Sequence, residues 1–278
     1  MSTSTYDVVA VGNAIIDLIQ ATPDSFLAEE NIAKDAMTLI DEARADHLTA
    51  RLSTATVAAG GSAANTVTGV ASFGGKAGYI GKVADDELGA RFTREFRAAG
   101  VAFNTPPRPA PPGTARSLIA VTPDGHRSMN TYLGASTLLT SDDLDADLIR
   151  NGETLFLEGY LFDRDEAKAA FVRAAEIARA AGRKVALTLS DKFCVDRHRD
   201  SFRHLVSGHV DILFANEAEI LSLCEQDDFG TAVESARAAC PVVAVTRSAI
   251  GSLVATPDGA FEVKAYPVAQ VVDSTGAG

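Results

Sequence analysis

TLFL at Thr154–Leu157, VALTL at Val185–Leu189, ILFA at Ile212–Ala215 and VVAVT at Val242–Thr246 are four short apolar runs in one stretch of chain. Their length and their content of Val, Ile, Leu and Phe predict fully buried strands. Between the first two, Asp165 to Ala181 predicts a helix, with Phe171, Ala174, Ala175 and Ala178 on one stripe and Gly182 at its end. A further helix is expected near Arg199 to Val206, and more through Cys240. Buried strands alternating with amphipathic helices make a parallel sheet with helices on both faces. Ligands in such sheets sit beyond the carboxyl ends of the strands.

Three motifs fall at such ends. Asn216-Glu217-Ala218-Glu219 follows one strand and Thr246-Arg247 the next, with Gly251 shortly after. The chain closes on Val271-Val272-Asp273-Ser274-Thr275-Gly276-Ala277-Gly278. Glycines there let backbone N–H groups wrap closely round an anion, although a plain turn after a strand reads the same way. Asn216 and Glu219 also suit a helix-capping box, and Arg247 a surface charge.

The first half is organised differently. Asp7 to Val11 predicts a strand closed by Gly12-Asn13, and Ala14 to Gln20 a second strand carrying Asp17. That carboxylate faces solvent, a partner or a ligand, because burying it alone is costly. Met37 to Ile40 is a third short strand. Gly60-Gly61-Ser62-Ala63-Ala64-Asn65 opens a helix of small side chains that permits close approach to a ligand or to a sheet. The Gly74 to Lys82 segment resembles a phosphate loop but matches neither the dinucleotide fingerprint nor the P-loop. Asp85-Asp86 starts a helix with Leu88, Phe92 and Phe96 on one face. Thr105 to Pro112 holds five prolines in eight residues, a stiff crossing into a hairpin of Ala115–Thr122 and His126–Leu133. That hairpin, with the strands at Asp17 and Met37, predicts a small β lid. The division expected is 1–13 with 49–104 and 135–278 for the main α/β domain, and 14–48 with 105–134 for the lid. A second hairpin, Ser252–Thr256 with Ala260–Lys264, turns over Pro257-Asp258-Gly259.

With 46% hydrophobic and 22% charged residues, the 278-residue chain has the make-up of an ordinary globular protein that buries a full core. A net charge of −12 without basic clusters argues against nucleic acid or anionic membrane as partner. Cys194, Cys224 and Cys240 follow no metal or disulfide spacing, and the N-terminus lacks the pattern of a signal peptide. A cytoplasmic protein is expected.

Gly12-Asn13 with Asp17, Gly60 to Asn65, Asn216-x-x-Glu219, Val245-Thr246-Arg247 with Gly251, and Asp273 to Gly278 stand in the order and spacing of one family. Together they resemble the ribokinase or PfkB family of carbohydrate and nucleoside kinases. Arg127 to Ala135 looks most like its adenosine-kinase-like branch. The resemblance implies a doubly wound α/β fold, ribokinase-like, in which ATP phosphorylates a hydroxyl of a sugar or nucleoside. By the same resemblance Asp17, Gly60, Gly61 and Asn65 hold the acceptor. Asn216, Thr246, Arg247, Gly251, Thr275 and Gly276 serve the nucleotide, and Glu219 organises Mg2+ through water. Gly276, Ala277 and Gly278 form the anion hole, with Arg247 near the phosphates.

In the family an aspartate follows that loop and acts as general base. Here the sequence stops at Gly278, so the chain is expected to be a fragment or a kinase without its base, and inactive as it stands. A catalytically silent sugar- or nucleoside-binding regulatory protein is the competing reading. An NAD-dependent dehydrogenase lacks its glycine fingerprint. The lid's open edge allows either a monomer or a homodimer.

Overall fold

The computed structural model describes residues 4–267. In chain order the elements are β1 (Tyr6–Val11), β2 (Ile15–Ala21), α1 (Asp24–Glu29), β3 (Met37–Leu39), α2 (Glu42–Arg51), β4 (Thr56–Gly60), α3 (Ser62–Ser72), β5 (Ala77–Ile80), α4 (Glu87–Ala98), β6 (Val101–Phe103), β7 (Ala115–Val121) and β8 (Arg127–Tyr132). They continue as α5 (Ala146–Arg150), β9 (Gly152–Glu158), α6 (Asp165–Ala180), β10 (Lys184–Thr188), α7 (Lys192–His209), β11 (Ile212–Asn216), α8 (Glu217–Cys224), α9 (Phe229–Ala239), β12 (Val242–Thr246), β13 (Gly251–Thr256) and β14 (Gly259–Lys264). Contacts divide the chain into two units, Met1–Val11 with Thr140–Gly278, and Gly12–Leu139.

In the first unit β12, β11, β10, β9 and β1 lie side by side and parallel, and antiparallel β13 and β14 continue the sheet beyond β12. All four quoted runs are therefore strands of one sheet. Parallel neighbours need a crossover, and α6 to α9 provide them. Leu155, Leu157, Val185, Leu187, Leu213, Val243 and Val245 are buried, and they share one face because strand side chains alternate. Contacts of α6 with β9 and β10, of α8 with β11 and of α9 with β12 and β13 place helices over the sheet. Phe162 stacks on Phe202 at 4.2 Å and meets Phe171 edge-on at 5.5 Å, tying α6 to α7. The helix expected from Arg199 starts earlier, at Lys192, and bends at His198, which leaves helical geometry.

The second unit holds a five-stranded sheet in the order β3-β8-β7-β2-β4. The hairpin of β7 and β8 pairs β2 on one side and β3 on the other, the partners expected for a lid. One further strand, β4, lies antiparallel to β2 at the end of the sheet. Leu18, Leu118, Ala120 and Asn130 are buried on one face, where Asp46 of α2 pairs with Arg116. The other face carries Asp17. In the same unit β5 and β6 run parallel, and α4 packs Phe92 and Phe96 against Tyr79 and Phe103 at ring distances of 5.1–6.1 Å. Each such buried ring is worth about 1.5–3 kcal/mol, so α4 is firmly seated. Its first turn is capped by Asp86, which accepts from the Gly89 N–H at 2.8 Å and from the backbone and side chain of Thr114 at 2.8 and 2.6 Å.

Candidate active site

Residues 12–139 bring Asp17, Gly60 and Gly61 together. Asp17 pairs in register with Ala58 of β4 and Ser117 of β7, and Ser117 faces Thr131 of β8. The Ser117 and Thr131 hydroxyls lie 2.9 Å apart. Gly60 packs directly on the Asp17 carboxylate: a Cβ there would overlap both carboxylate oxygens. Gly61 has φ 105° and lies against the Asn13 carbonyl, so a side chain is barred twice, by conformation and by space. Gly61→Ala is expected to destabilise the protein by about 2 kcal/mol, read as a lower denaturant midpoint with unchanged slope. Burial pushes the Asp17 carboxyl up to about 6, against an opposing pull from the Arg127 guanidinium. A carboxylate so placed is a strong acceptor for hydroxyl hydrogens. Asn65 sits on the first turn of α3, its N–H bonded to the Gly61 carbonyl at 2.8 Å and its side chain exposed.

Strand alternation places Ile19, Ile119, Met129, Met37 and Leu39 on the face of Asp17. Met37 and Leu39 remain 44% and 49% exposed. One end of this face therefore offers a carboxylate and two hydroxyls, and the remainder an apolar surface.

In the other unit, the carboxyl ends of β9, β10 and β11 gather acids. Asn216 caps α8, its side-chain oxygen accepting from the Glu219 N–H at 2.9 Å, while Glu219 accepts from the Asn216 N–H at 2.9 Å and its side-chain amide at 2.8 Å. The capping box is thus complete. Yet Glu219 is only 4% exposed, and burial, aided by the nearby charge of Asp191, raises its carboxyl above the usual range despite the Asn216 N–H. Burial and the charges of Asp191, Glu158 and Glu219 push the Tyr160 hydroxyl up as well, which places these four groups in one neighbourhood. Thr246 lies beside Asn216 in the β11–β12 register. Arg247 reaches Glu217 at 3.1 and 3.4 Å and stacks 4.0 Å over the Phe229 ring, and its N–H bonds the Gly251 carbonyl at 2.8 Å. Gly251 has φ 118° and abuts the Val263 carbonyl, so the turn requires glycine. Thr275, Gly276, Ala277 and Gly278 lie outside the described residues.

Glu158, Tyr160 and Asp191 were not among the residues singled out from sequence. A signal existed for Glu158: an acid closing the apolar TLFL run stands at a carboxyl end, where this sheet type binds ligands. Ser117 and Thr131 carried none, since hydroxyls are ordinary in strands.

Among the described residues no helix is long and apolar enough to cross a membrane. Similarity to solved structures is extensive. A "probable sugar kinase protein" from Rhizobium etli CFN 42 is 48% identical, with TM-score 0.91 over 99% of this chain and 84% of that one. The adenosine kinase from Sinorhizobium meliloti is 50% identical, with TM-score 0.90 over the same shares. A fructokinase from Solanum tuberosum is 32% identical over 132 residues, 45% of this chain and 40% of that protein, so the match spans less than half of that relative. The family model for pfkB family carbohydrate kinase matches residues 6–278. With that match across nearly its whole length, on a mostly parallel α/β sheet with a second small sheet, the chain belongs to the pfkB family of carbohydrate kinases.

Proposed function

We propose that the protein transfers the γ-phosphoryl group of ATP to a hydroxyl of a nucleoside, with adenosine as the acceptor of first choice, in the cytoplasm. One observation carries the choice of acceptor: Asp17, half-buried under Gly60, shares a sheet face with two hydroxyls and a run of apolar side chains. A carboxylate that accepts from two neighbouring hydroxyls suits a ribose. A bare sugar has nothing to place on Ile119, Met129, Met37 and Leu39, whereas an aromatic base does. The 50% identity to an adenosine kinase supports the same choice.

Asp17 orients the acceptor, with Gly60 and Gly61 allowing its approach and Asn65 adding a further polar group. At the nucleotide end, Thr246 and Arg247 serve the phosphates. Thr275 to Gly278 supply N–H groups to the transferred phosphoryl, whose charge fixed donors must meet. The acids at the carboxyl ends fit Mg2+ by chemistry: all donors are oxygens, and the raised proton affinity of Glu219 marks negative charge crowded in a dry place. Among the described residues no three His, Cys, Asp or Glu side chains are grouped to hold a metal directly, so Glu219 would hold it through water. When bound, Mg2+ neutralises charge on the phosphates.

Incubating the purified protein, in a form that carries the aspartate expected after Gly278, with ATP, Mg2+ and a panel of adenosine, other nucleosides, ribose and fructose tests this. ADP formed fastest with adenosine is the expected result. Preference for fructose would overturn the acceptor assignment, and nucleoside binding without ADP from any compound would leave a binding protein on a kinase fold. Because Asp17 binds as a carboxylate, adenosine affinity should fall as pH drops through about 6, the value to which burial raises it. Calorimetric titration between pH 5 and 8, with Asp17→Asn flattening the profile, checks the assignment.

A further inference from the structure

We infer that Arg91 and Glu95 of α4 are positioning residues, which clip the outer edge of β4 and so hold Gly60 against the Asp17 carboxylate. β4 is an end strand, bonded to β2 along one side only. Its outward N–H and C=O groups need other partners. The Arg91 guanidinium donates to the Val57 carbonyl at 2.7 Å, and Glu95 accepts from the Ala59 N–H at 2.8 Å. The two side chains also join each other, at 2.6 Å. One turn of α4 thus stands in for a missing strand.

Magnitudes argue that this clip matters for position more than for stability. The ion pair is about one-third exposed on each side, so solvent screens it and it adds little to stability. The two hydrogen bonds to the β4 backbone add modestly. Against this, Ala59 immediately precedes Gly60, and the space that a Cβ on Gly60 would fill is taken by the Asp17 carboxylate, so a shift of β4 alters the packing around that carboxylate directly. The helix side does not yield, because Phe92 and Phe96, the residues next after Arg91 and Glu95, are 0% and 2% exposed.

The inference rests on Asp17 being the acceptor's ligand, and the test separates the two. Glu95→Ala is expected to weaken adenosine binding about tenfold, the value of one to two backbone bonds, with ATP affinity changed less than about twofold. Glu95→Gln should restore adenosine binding, since its amide oxygen still accepts from Ala59. Arg94→Ala, an exposed change on the same helix, should alter neither ligand. Calorimetry with adenosine and with ATP reads all three. Unchanged adenosine affinity in Glu95→Ala, or equal loss for both ligands, overturns the inference, provided Asp17→Ala still abolishes adenosine binding. If Asp17→Ala leaves that binding intact, the acceptor assignment itself falls. Should Glu95→Ala fail to fold, Arg91→Ala, which leaves Glu95 on Ala59, carries the same comparison.

Discussion

Asp17→Asn is expected to weaken adenosine binding by about a hundredfold or more and, at the same time, to make the folded protein more stable at pH 7. The first effect follows from losing charge-assisted hydrogen bonds to two hydroxyls, each worth about 1.5–3 kcal/mol. The second follows from the same burial. The folded protein holds the Asp17 carboxyl at about 6, whereas its ordinary value is 3.8. A raised value means that the protonated form is the one the fold prefers. Its stabilising contribution is complete below the ordinary value and is lost as pH rises through about 6. At pH 7 the charged group therefore burdens the fold by up to ~3 kcal/mol, about two pKa units at 1.4 kcal/mol each. Asparagine removes that burden and still fits under Gly60. Thermal melts at pH 7.5 and pH 4 check the sign: the variant should melt higher at the first and lose its advantage at the second. A variant that binds normally, or melts lower at pH 7.5, excludes a ligand-directed carboxylate at this position.

Glu219 offers the second large effect, because two roles converge on one side chain. As the far half of a capping box it stabilises α8, so Glu219→Ala should cost about 1 kcal/mol and leave the Asn216 N–H without its partner. Glutamine keeps a carbonyl oxygen for that N–H and gives up only the hydrogen bond from the Asn216 side-chain amide, which its NH2 cannot accept. Burial raises the Glu219 carboxyl, so at pH 7 removing its charge leaves stability unchanged or improved. If capping were the whole role, Glu219→Gln would behave as the parent. The proposed role toward Mg2+ requires the charge: the glutamine variant should turn over about 10–100-fold more slowly and need more Mg2+ for half-maximal rate, the scale seen when groups supporting a metal are removed. ATP binding measured calorimetrically with and without Mg2+ gives an independent reading. A Mg2+ increment in ATP affinity that survives the substitution would confine Glu219 to its cap.

The α/β class, the parallel core strands and the strand partners of the β7–β8 hairpin were legible from residue order alone. Buried parallel strands must be apolar without interruption, and TLFL, VALTL, ILFA and VVAVT are such runs. Gly60, Gly61 and Gly251 could be marked as special because glycine signals a backbone demand that no other residue meets. Two things escaped. β4 reads TVAAG, which lacks the bulky residues of a strand and forms one because β2 pairs it on one edge and α4 completes the other. The gathering of Glu158, Tyr160, Asp191 and Glu219 also escaped, since strand ends that are adjacent in the sheet are dozens of residues apart in the chain. Local pattern thus determined the buried core strands, the main helices between them and which glycines are indispensable. Register between strands, and the burial that raises Asp17 and Glu219, came only with the tertiary structure, because both depend on neighbours that the chain brings from far away.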